Sequence, residues 1–255
     1  MSRNERTNTT VIKVGGSRLR STEDLRALAD YAAALRPGRV VIVHGGGPEI
    51  SELHQALAIP FVKRDGLRVT SDEGMRATVM ALCGCVNKRV VASLVERGLP
   101  ALGLSGVDLG LMRAALKDEQ RWGRVGTRPE VDAGRLEQLL DAGLLPVVAP
   151  VSLGPDGQPV NVNADEAAQA LAEALGASSL ELVSDVPGVK LERDQVAARI
   201  AVADAAGLIE RALVRGGMVP KLRAAVAAVE AGVGRVRIGD LAGMAAATAT
   251  VIARA

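Results

Sequence analysis

Two bare apolar runs, each breaking into glycines, set the limits on what this chain can fold into. The first is Thr10-Val11-Ile12-Lys13-Val14, followed by Gly15-Gly16-Ser17; the second is Arg39 to Val43, followed by His44-Gly45-Gly46-Gly47-Pro48. Apolar runs without polar alternation suit parallel strands covered on both faces. Between them Leu25, Leu28, Ala32 and Leu35 recur at helical spacing, with Ser21 or Thr22 as cap, Glu23 and Asp24 in the first turn and Pro37-Gly38 as the stop. Strand, helix, strand in that order makes a right-handed crossover and a parallel sheet. Both glycine turns then fall at the carboxyl edge of the strands, where open α/β sheets bind ligands.

Lys13 is the exception inside the first run. Burying an unpaired ammonium costs several kcal/mol or strips its proton, so Lys13 needs a partner. An anion at the strand end supplies one, and Gly15 and Gly16 let backbone N–H groups close around phosphate oxygens. A lysine that snorkels past an ordinary glycine turn explains the first run equally well. The second glycine run opens a helix over 49–57 and adds helix-start N–H groups at the same edge, which weighs toward an anion site.

The remaining elements follow from turn and cap chemistry. Phe61 to Lys63 and Leu67 to Val69 flank Arg64-Asp65-Gly66, which predicts a hairpin flap carrying Arg68; the planar guanidinium of Arg68 suits a carboxylate clamp, although without further context a solvated surface arginine is the commoner reading. A long helix is predicted over 71–96, with Met75, Val79, Leu82, Val86 and Val90 as its apolar stripe and small residues Ala81, Gly84 and Ser93 that allow close packing. Ala101 to Leu104 is a strand. Leu111 to Ala115 and Gly123 to Gly126 read as a peripheral ribbon with Lys117 to Arg121 as its exposed tip, before a helix over 132–142 and a strand over 145–151. Asn161-Val162-Asn163-Ala164-Asp165 opens a helix to about Leu175. One cap would suffice there, so three polar side chains leave Asp165 to hold a lysine and the amides free for a ligand. A strand over 180–183 runs into Ser184-Asp185-Val186-Pro187-Gly188-Val189, and Gly216-Gly217-Met218-Val219-Pro220-Lys221 leads into a helix over 222–231. Arg235 to Ile238 is the last predicted strand, and Ala242 to Ala247 a short terminal helical segment.

Several function classes drop out. At 255 residues and 48% hydrophobic, the chain can bury a full core. A net charge of only +2 with scattered basic residues gives no nucleic-acid or anionic-membrane footprint. Tyr31, Phe61 and Trp122 are the only aromatic residues, too few for base-stacking platforms. Cys83 and Cys85 have no His or Cys cluster nearby and read as buried structural thiols, so no protein metal site is expected. A polar start over 1–10 and no apolar run of membrane-spanning length predict a cytoplasmic protein. The absence of Gly-x-x-x-x-Gly-Lys-[Ser/Thr] excludes a Walker-type ATPase.

Taken together, Lys13-x-Gly15-Gly16, His44-Gly45-Gly46-Gly47, Gly66-Leu67-Arg68-Val69-Thr70, Asn161-x-Asn163-Ala164-Asp165, Ser184-Asp185-Val186-Pro187-Gly188 and Gly216-Gly217-Met218-x-Pro220-Lys221 resemble the amino acid kinase family, in that family's order, from about Val11 to Ile252. The resemblance implies a three-layer αβα sandwich around a mostly parallel central sheet of about eight strands. It implies a single domain over 1–255, with residues 11–175 binding the acceptor and 176–255 binding ATP with Mg2+. Lys13 and Lys221 would contact the phosphoryl group in flight and Asp165 would position both lysines. Gly46, Gly47, Arg68, Asn161 and Asn163 would line the acceptor site. Gly15, Gly16, Ser184, Asp185, Val186, Gly188, Val189, Gly216, Gly217 and Met218 would line the nucleotide site.

The motifs point, by the same resemblance, to the arginine-pathway branch of the family, with N-acetyl-L-glutamate as acceptor. Carrier-linked or acylated aminoadipate in lysine biosynthesis is the nearest alternative. The flap arginine disfavours carbamate, uridylate and aspartate as acceptors, and both lysines with Asp165 disfavour a non-catalytic regulator. Arginine-inhibited members carry an extra amino-terminal helix that interlaces dimers into a hexamer. Met1 to Asn8 is too short and polar for one, so a homodimer insensitive to arginine is expected, with the 71–96 helix as its contact.

Overall fold

The computed structural model describes residues 8–64, 67–191, 195–215 and 218–254. Strand β1 (Thr9–Val14) is buried at every position. It passes through helix α1 (Thr22–Ala34) into β2 (Arg39–His44), which runs parallel to it in register from Thr9 opposite Arg39 to Val14 opposite His44. Ser21 caps α1 by accepting the Asp24 N–H. Helix α2 (Gly47–Ala56), the two-residue strands β3 (Lys63–Arg64) and β4 (Leu67–Arg68) and the long helix α3 (Asp72–Glu96) follow. Then come β5 (Ala101–Ser105), β6 (Met112–Arg113), β7 (Glu130–Val131), α4 (Ala133–Asp141), β8 (Leu145–Ala149), β9 (Val151–Leu153), β10 (Pro159–Asn161) and α5 (Ala164–Ala174). The rest is β11 (Ser179–Val183), β12 (Arg199–Ala201), α6 (Val202–Glu210), α7 (Met218–Glu230), β13 (Val236–Gly239), α8 (Leu241–Ala245) and β14 (Thr250–Ala253).

The main sheet has eight strands in the order β12-β14-β13-β11-β1-β2-β8-β5, parallel throughout except for the β13–β14 pair. Four neighbouring strands come from residues before 175 and four from residues after it, so the two halves of the chain meet along β1 and β11. Val11, Val41, Val43, Leu180 and Leu182 face a core shared with Leu136, Leu171 and Leu222 from α4, α5 and α7. Ile12, Val14, Val40 and Ile42 face the opposite core, with Leu28, Val90 and Met244 from α1, α3 and α8. The result is the αβα sandwich expected of the sequence.

On this second face a charged group is buried. Glu181 on β11 takes hydrogen bonds from Tyr31 of α1 and from Arg237 Nη1 on β13 at 3.0 Å, and Arg237 also reaches the Tyr31 hydroxyl at 2.9 Å and the Met244 carbonyl at 2.6 Å. Burial and the Glu181 carboxylate both hold the Tyr31 phenol above its ordinary range.

Several local expectations differ. Helix α3 is not uniformly α: Met80–Val86 is a π segment. The thiols on it are not buried, since Cys85 is exposed and Cys83 half-buried, with desolvation pushing the Cys83 thiol up to about 11. By length and composition α3 could also cross a membrane, which the search for long apolar runs did not anticipate; its inward residues Val86, Val90 and Leu94 are sheet core. The expected ribbon tip folds into a helical turn, Glu119–Trp122, capped by Asp118 and anchored by the buried Trp122. Gly123 to Gly126 makes single bridges to Thr70, Asn161 and Leu116 rather than a strand. Pro150 breaks the run over 145–151, so β9 leaves the main sheet and joins β10-β9-β6-β7. Strands β7, β10, β12 and β14 and helix α6 were not anticipated; two to four residues are too few for a strand to show a period. The expectations for Met1 to Thr7, Asp65 and Gly66 lie outside the described residues.

Candidate active site

The two glycine turns are one structure. The Gly45 N–H donates to the Val14 carbonyl at 2.8 Å, and a Cβ on Gly16 would lie 2.7 Å from Gly46 Cα. A Cβ on Gly46 would in turn strike Leu82 Cδ2 at 2.5 Å, so Gly16 and Gly46 lack side chains for packing reasons. Gly47 has nothing within 4 Å of such a Cβ, and Gly15 only the Ser17 hydroxyl at 3.9 Å. Their backbones border open space.

Lys13 projects from the same face of β1 as Val11, toward the start of α5, where its Nζ lies 2.9 Å from Asp165 Oδ1. The lysine is 8% exposed and the carboxylate side chain about a third exposed, so the pair is largely shielded and solvent reaches it from the aspartate side. Asn163 caps α5, its Oδ1 accepting the N–H groups of Asp165 at 2.8 Å and Glu166 at 3.4 Å. The expectation that both amides stay free therefore needs correction: Asn163 has spent its carbonyl on the helix, and only its NH2 remains. Asn161 donates to the Thr70 hydroxyl at 3.3 Å.

Two clefts meet at the start of α5. One, of about 210 Å³, lies between Gly45, Gly46, Gly47, Arg68, Asn161 and Asn163, with Ile50, Leu82, Val125 and Val162 as apolar walls. The other, of about 320 Å³, is lined by Asn163, Asp165, Glu166, Gln169, Lys221 and neighbouring apolar residues. Arg68 is buried and stacked on Phe61, its Cζ 4.1 Å from the ring centre. Its Nη2 donates to Ser51 Oγ at 2.7 Å and to the Gly47 carbonyl at 3.3 Å, while Nη1 is buried with no hydrogen-bond partner among the described residues. Desolvation lowers the guanidinium pKa from its ordinary value. A buried cation with an unused donor, beside open glycine N–H groups, fits a carboxylate.

The stretch Ser184–Val189 lies at the end of β11, outside the linings of both clefts. The Ser184 N–H bonds to the Gly239 carbonyl at 2.8 Å, and Asp185 accepts from Arg18 Nε at 2.8 Å. Val186 is half-buried. Gly188 packs against Thr250, whose hydroxyl accepts the Val189 N–H at 2.8 Å, so Val189 has no free donor. Met218 begins α7, three residues before Lys221, and Gly216 and Gly217 lie outside the described residues. Sequence reasoning missed Ser51, one helical turn after Gly47, and the role of Phe61 under Arg68. It also missed Asn87, visible in the sequence as a lone amide beside an apolar stripe.

The model of the amino acid kinase family matches residues 8–240 of this chain. Acetylglutamate kinase of Roseiflexus sp. (strain RS-1) is 45% identical over 246 residues, spanning 96% of this chain and 93% of that protein. Acetylglutamate kinase of Methanopyrus kandleri is 44% identical over 253 residues, spanning 95% and 99%. A crystal structure of a Streptococcus mutans UA159 protein superposes with a TM-score of 0.82 at 32% identity, spanning 98% of this chain and all of that one.

Proposed function

Because this chain belongs to the amino acid kinase family, we propose that it transfers the γ-phosphoryl group of ATP to the side-chain carboxylate of N-acetyl-L-glutamate, giving N-acetyl-L-glutamyl 5-phosphate for arginine biosynthesis. The observation that carries this reading is the unpartnered Nη1 of buried Arg68 in a cleft that shares Asn163 with the one lined by Asp165, the partner of Lys13. One carboxylate of the acceptor sits on Arg68, and the other points at Lys13. Glutamate's side-chain carboxylate, with a pKa near ~4.3, is already ionised at neutral pH, so no general base is required. The work of the protein is positioning and charge stabilisation. Lys13, oriented by Asp165, and Lys221 across the second cleft face the negative charge that spreads over the moving group, and glycine N–H groups from 15–16 and 46–47 supply further donors.

Among the described residues no group of three His, Cys, Asp or Glu could hold a metal. Magnesium would arrive on the nucleotide phosphates, and Asp165 and Glu166 are the carboxylates that line the second cleft. When bound it neutralises charge on the phosphate oxygens. Residues 11–175 form the acceptor lobe and 176–255 the nucleotide lobe, and the enzyme draws its ATP from the cytoplasm. A coupled assay of ATP consumption with N-acetylglutamate, acylated aminoadipate and free glutamate tests the reading; N-acetylglutamate should give the highest kcat/KM. A preference for aminoadipate derivatives, or no turnover with any of the three, would overturn it.

Arg68→Lys should raise the KM for the acceptor by roughly 10- to 100-fold and that for ATP by less than about threefold, because a point charge cannot replace a two-pronged donor. An effect confined to ATP would put Arg68 in the wrong cleft. The chain also acts as a homodimer on this reading. Met80 and Val95 on α3 and Leu102 on the edge strand β5 are exposed apolar residues available to a second copy. Light scattering should give twice the 26.3 kDa chain mass, and a monomer would refute this.

A further inference from the structure

The π segment of α3 packs against the second glycine turn. The buried residues of the segment, Ala81, Leu82 and Val86, and Asn87 directly after it form adjacent pairs five apart, Ala81–Leu82 and Val86–Asn87, in keeping with i to i+5 winding. Leu82 and Val86 pack the glycine turn: their side chains are what a Cβ on Gly46 would meet. Asn87 is an amide, 1% exposed, on a face otherwise apolar.

The orientation of that amide is fixed by its neighbours. Its Oδ1 accepts from Lys88 Nζ at 3.2 Å, so the NH2 end faces the sheet, donating to the Val147 carbonyl at 2.9 Å and lying 3.1 Å from His44 Nε2. An amide NH2 only donates, hence Nε2 of His44 must be the lone-pair nitrogen. The ring proton is then on Nδ1, which lies 3.0 Å from the Gly45 carbonyl and donates to it. His44 is fully buried, with Glu49 on α2 and Lys88 on α3 as the charged groups bearing on it, and desolvation lowers its pKa to about 4.

We propose that Asn87 and His44 form a positioning relay, in which the amide holds the imidazole in its Nδ1–H tautomer and the imidazole holds the Gly45 carbonyl, so that the N–H groups of Gly46 and Gly47 face the acceptor cleft. Neither residue touches substrate. The link to catalysis rests on the proposed acceptor, but the relay itself is a property of the loop. Gly103 on β5 makes room for it, since a Cβ there would lie 2.1 Å from Asn87 Oδ1.

The chain has two histidines, so ¹⁵N spectra of histidine-labelled protein resolve the tautomer directly. At pH 7 His44 should be neutral with Nδ1 protonated; an Nε2-protonated or charged ring would overturn the relay. In Asn87→Leu the Gly45–Gly47 amide resonances should move, and the acceptor KM should rise roughly 10- to 100-fold with the KM for ATP unchanged. Unmoved glycine amides, or an acceptor KM within twofold of the parent, would refute the positioning role. Should Asn87→Leu fail to fold, Asn87→Asp keeps the volume and turns the donor into an acceptor. It should move the His44 proton to Nε2 or charge the ring, and a ring that keeps Nδ1–H alone would count against the relay. If the parent enzyme fails to phosphorylate N-acetylglutamate, the functional reading falls, while the tautomer and the glycine amides still decide the relay.

Discussion

Lys13→Ala should fold normally, bind N-acetylglutamate nearly as well as the parent and turn over roughly 10²–10³ times more slowly, the loss seen when one preorganised charge-stabilising donor is removed. The expected split follows from where the ammonium acts. Lys13 is held at the end of β1 by Asp165 at 2.9 Å, whereas on the proposed reading Arg68 takes the acceptor's other carboxylate, so ground-state binding should survive the substitution. An interaction made mainly in the transition state lowers kcat without a matching rise in KM. Lys13→Arg keeps the charge but not the compact ammonium, and should recover little. Initial-rate kinetics and acceptor titration by calorimetry measure the two quantities separately. Turnover within tenfold of the parent would remove Lys13 from the mechanism.

The second large effect concerns stability. Arg237→Ala should destabilise the fold by about 3–5 kcal/mol, because it leaves the Glu181 carboxylate buried beside Tyr31 with its cation gone. Glu181 is 1% exposed and Arg237 7%, so little water can replace the lost partner. Replacing the whole group, with Tyr31→Phe, Glu181→Leu and Arg237→Met, should recover most of the loss, since no unpaired charge then remains. Urea unfolding reads this as a lower midpoint at unchanged slope for the single variant. A single substitution costing under about 1 kcal/mol would show that the charge escapes to solvent.

The fold was legible wherever an element carried a long pattern. The apolar runs before Gly15 and His44 and the periodic stretch over 22–34 announced the parallel core of the sheet, and cap chemistry placed α5. Strands β10, β12 and β14 were hidden because each has three or four residues and is defined by its neighbours in space. The π segment was hidden for a different reason: Met75, Val79, Leu82, Val86 and Val90 fit an α stripe, and only the inward-facing Asn87 breaks it. At the site, charge in unlikely places was the readable signal. Lys13 in a strand and Asp165 beyond a sufficient cap were found for that reason, and the structure brings them together. The flap arginine was readable from its turn, but its supports, Ser51 and Phe61, are ordinary residues whose role depends on a fold that brings α2 and the flap side by side.

The glycine turns follow β1 and β2, which are immediate neighbours paired residue for residue up to Val14 and His44. Adjacent strands stand roughly 4.8 Å apart, and hydrogen bonding allows almost no play in that figure. The spacing between the two glycine loops is thus set by the sheet's own ruler rather than by loop length. Insertions in either loop could change its outline but not its offset. A relative that needed the loops farther apart would have to place another strand between them, and one that needed them shifted along the strand axis would have to slip the register, which would also send Lys13 to the opposite face.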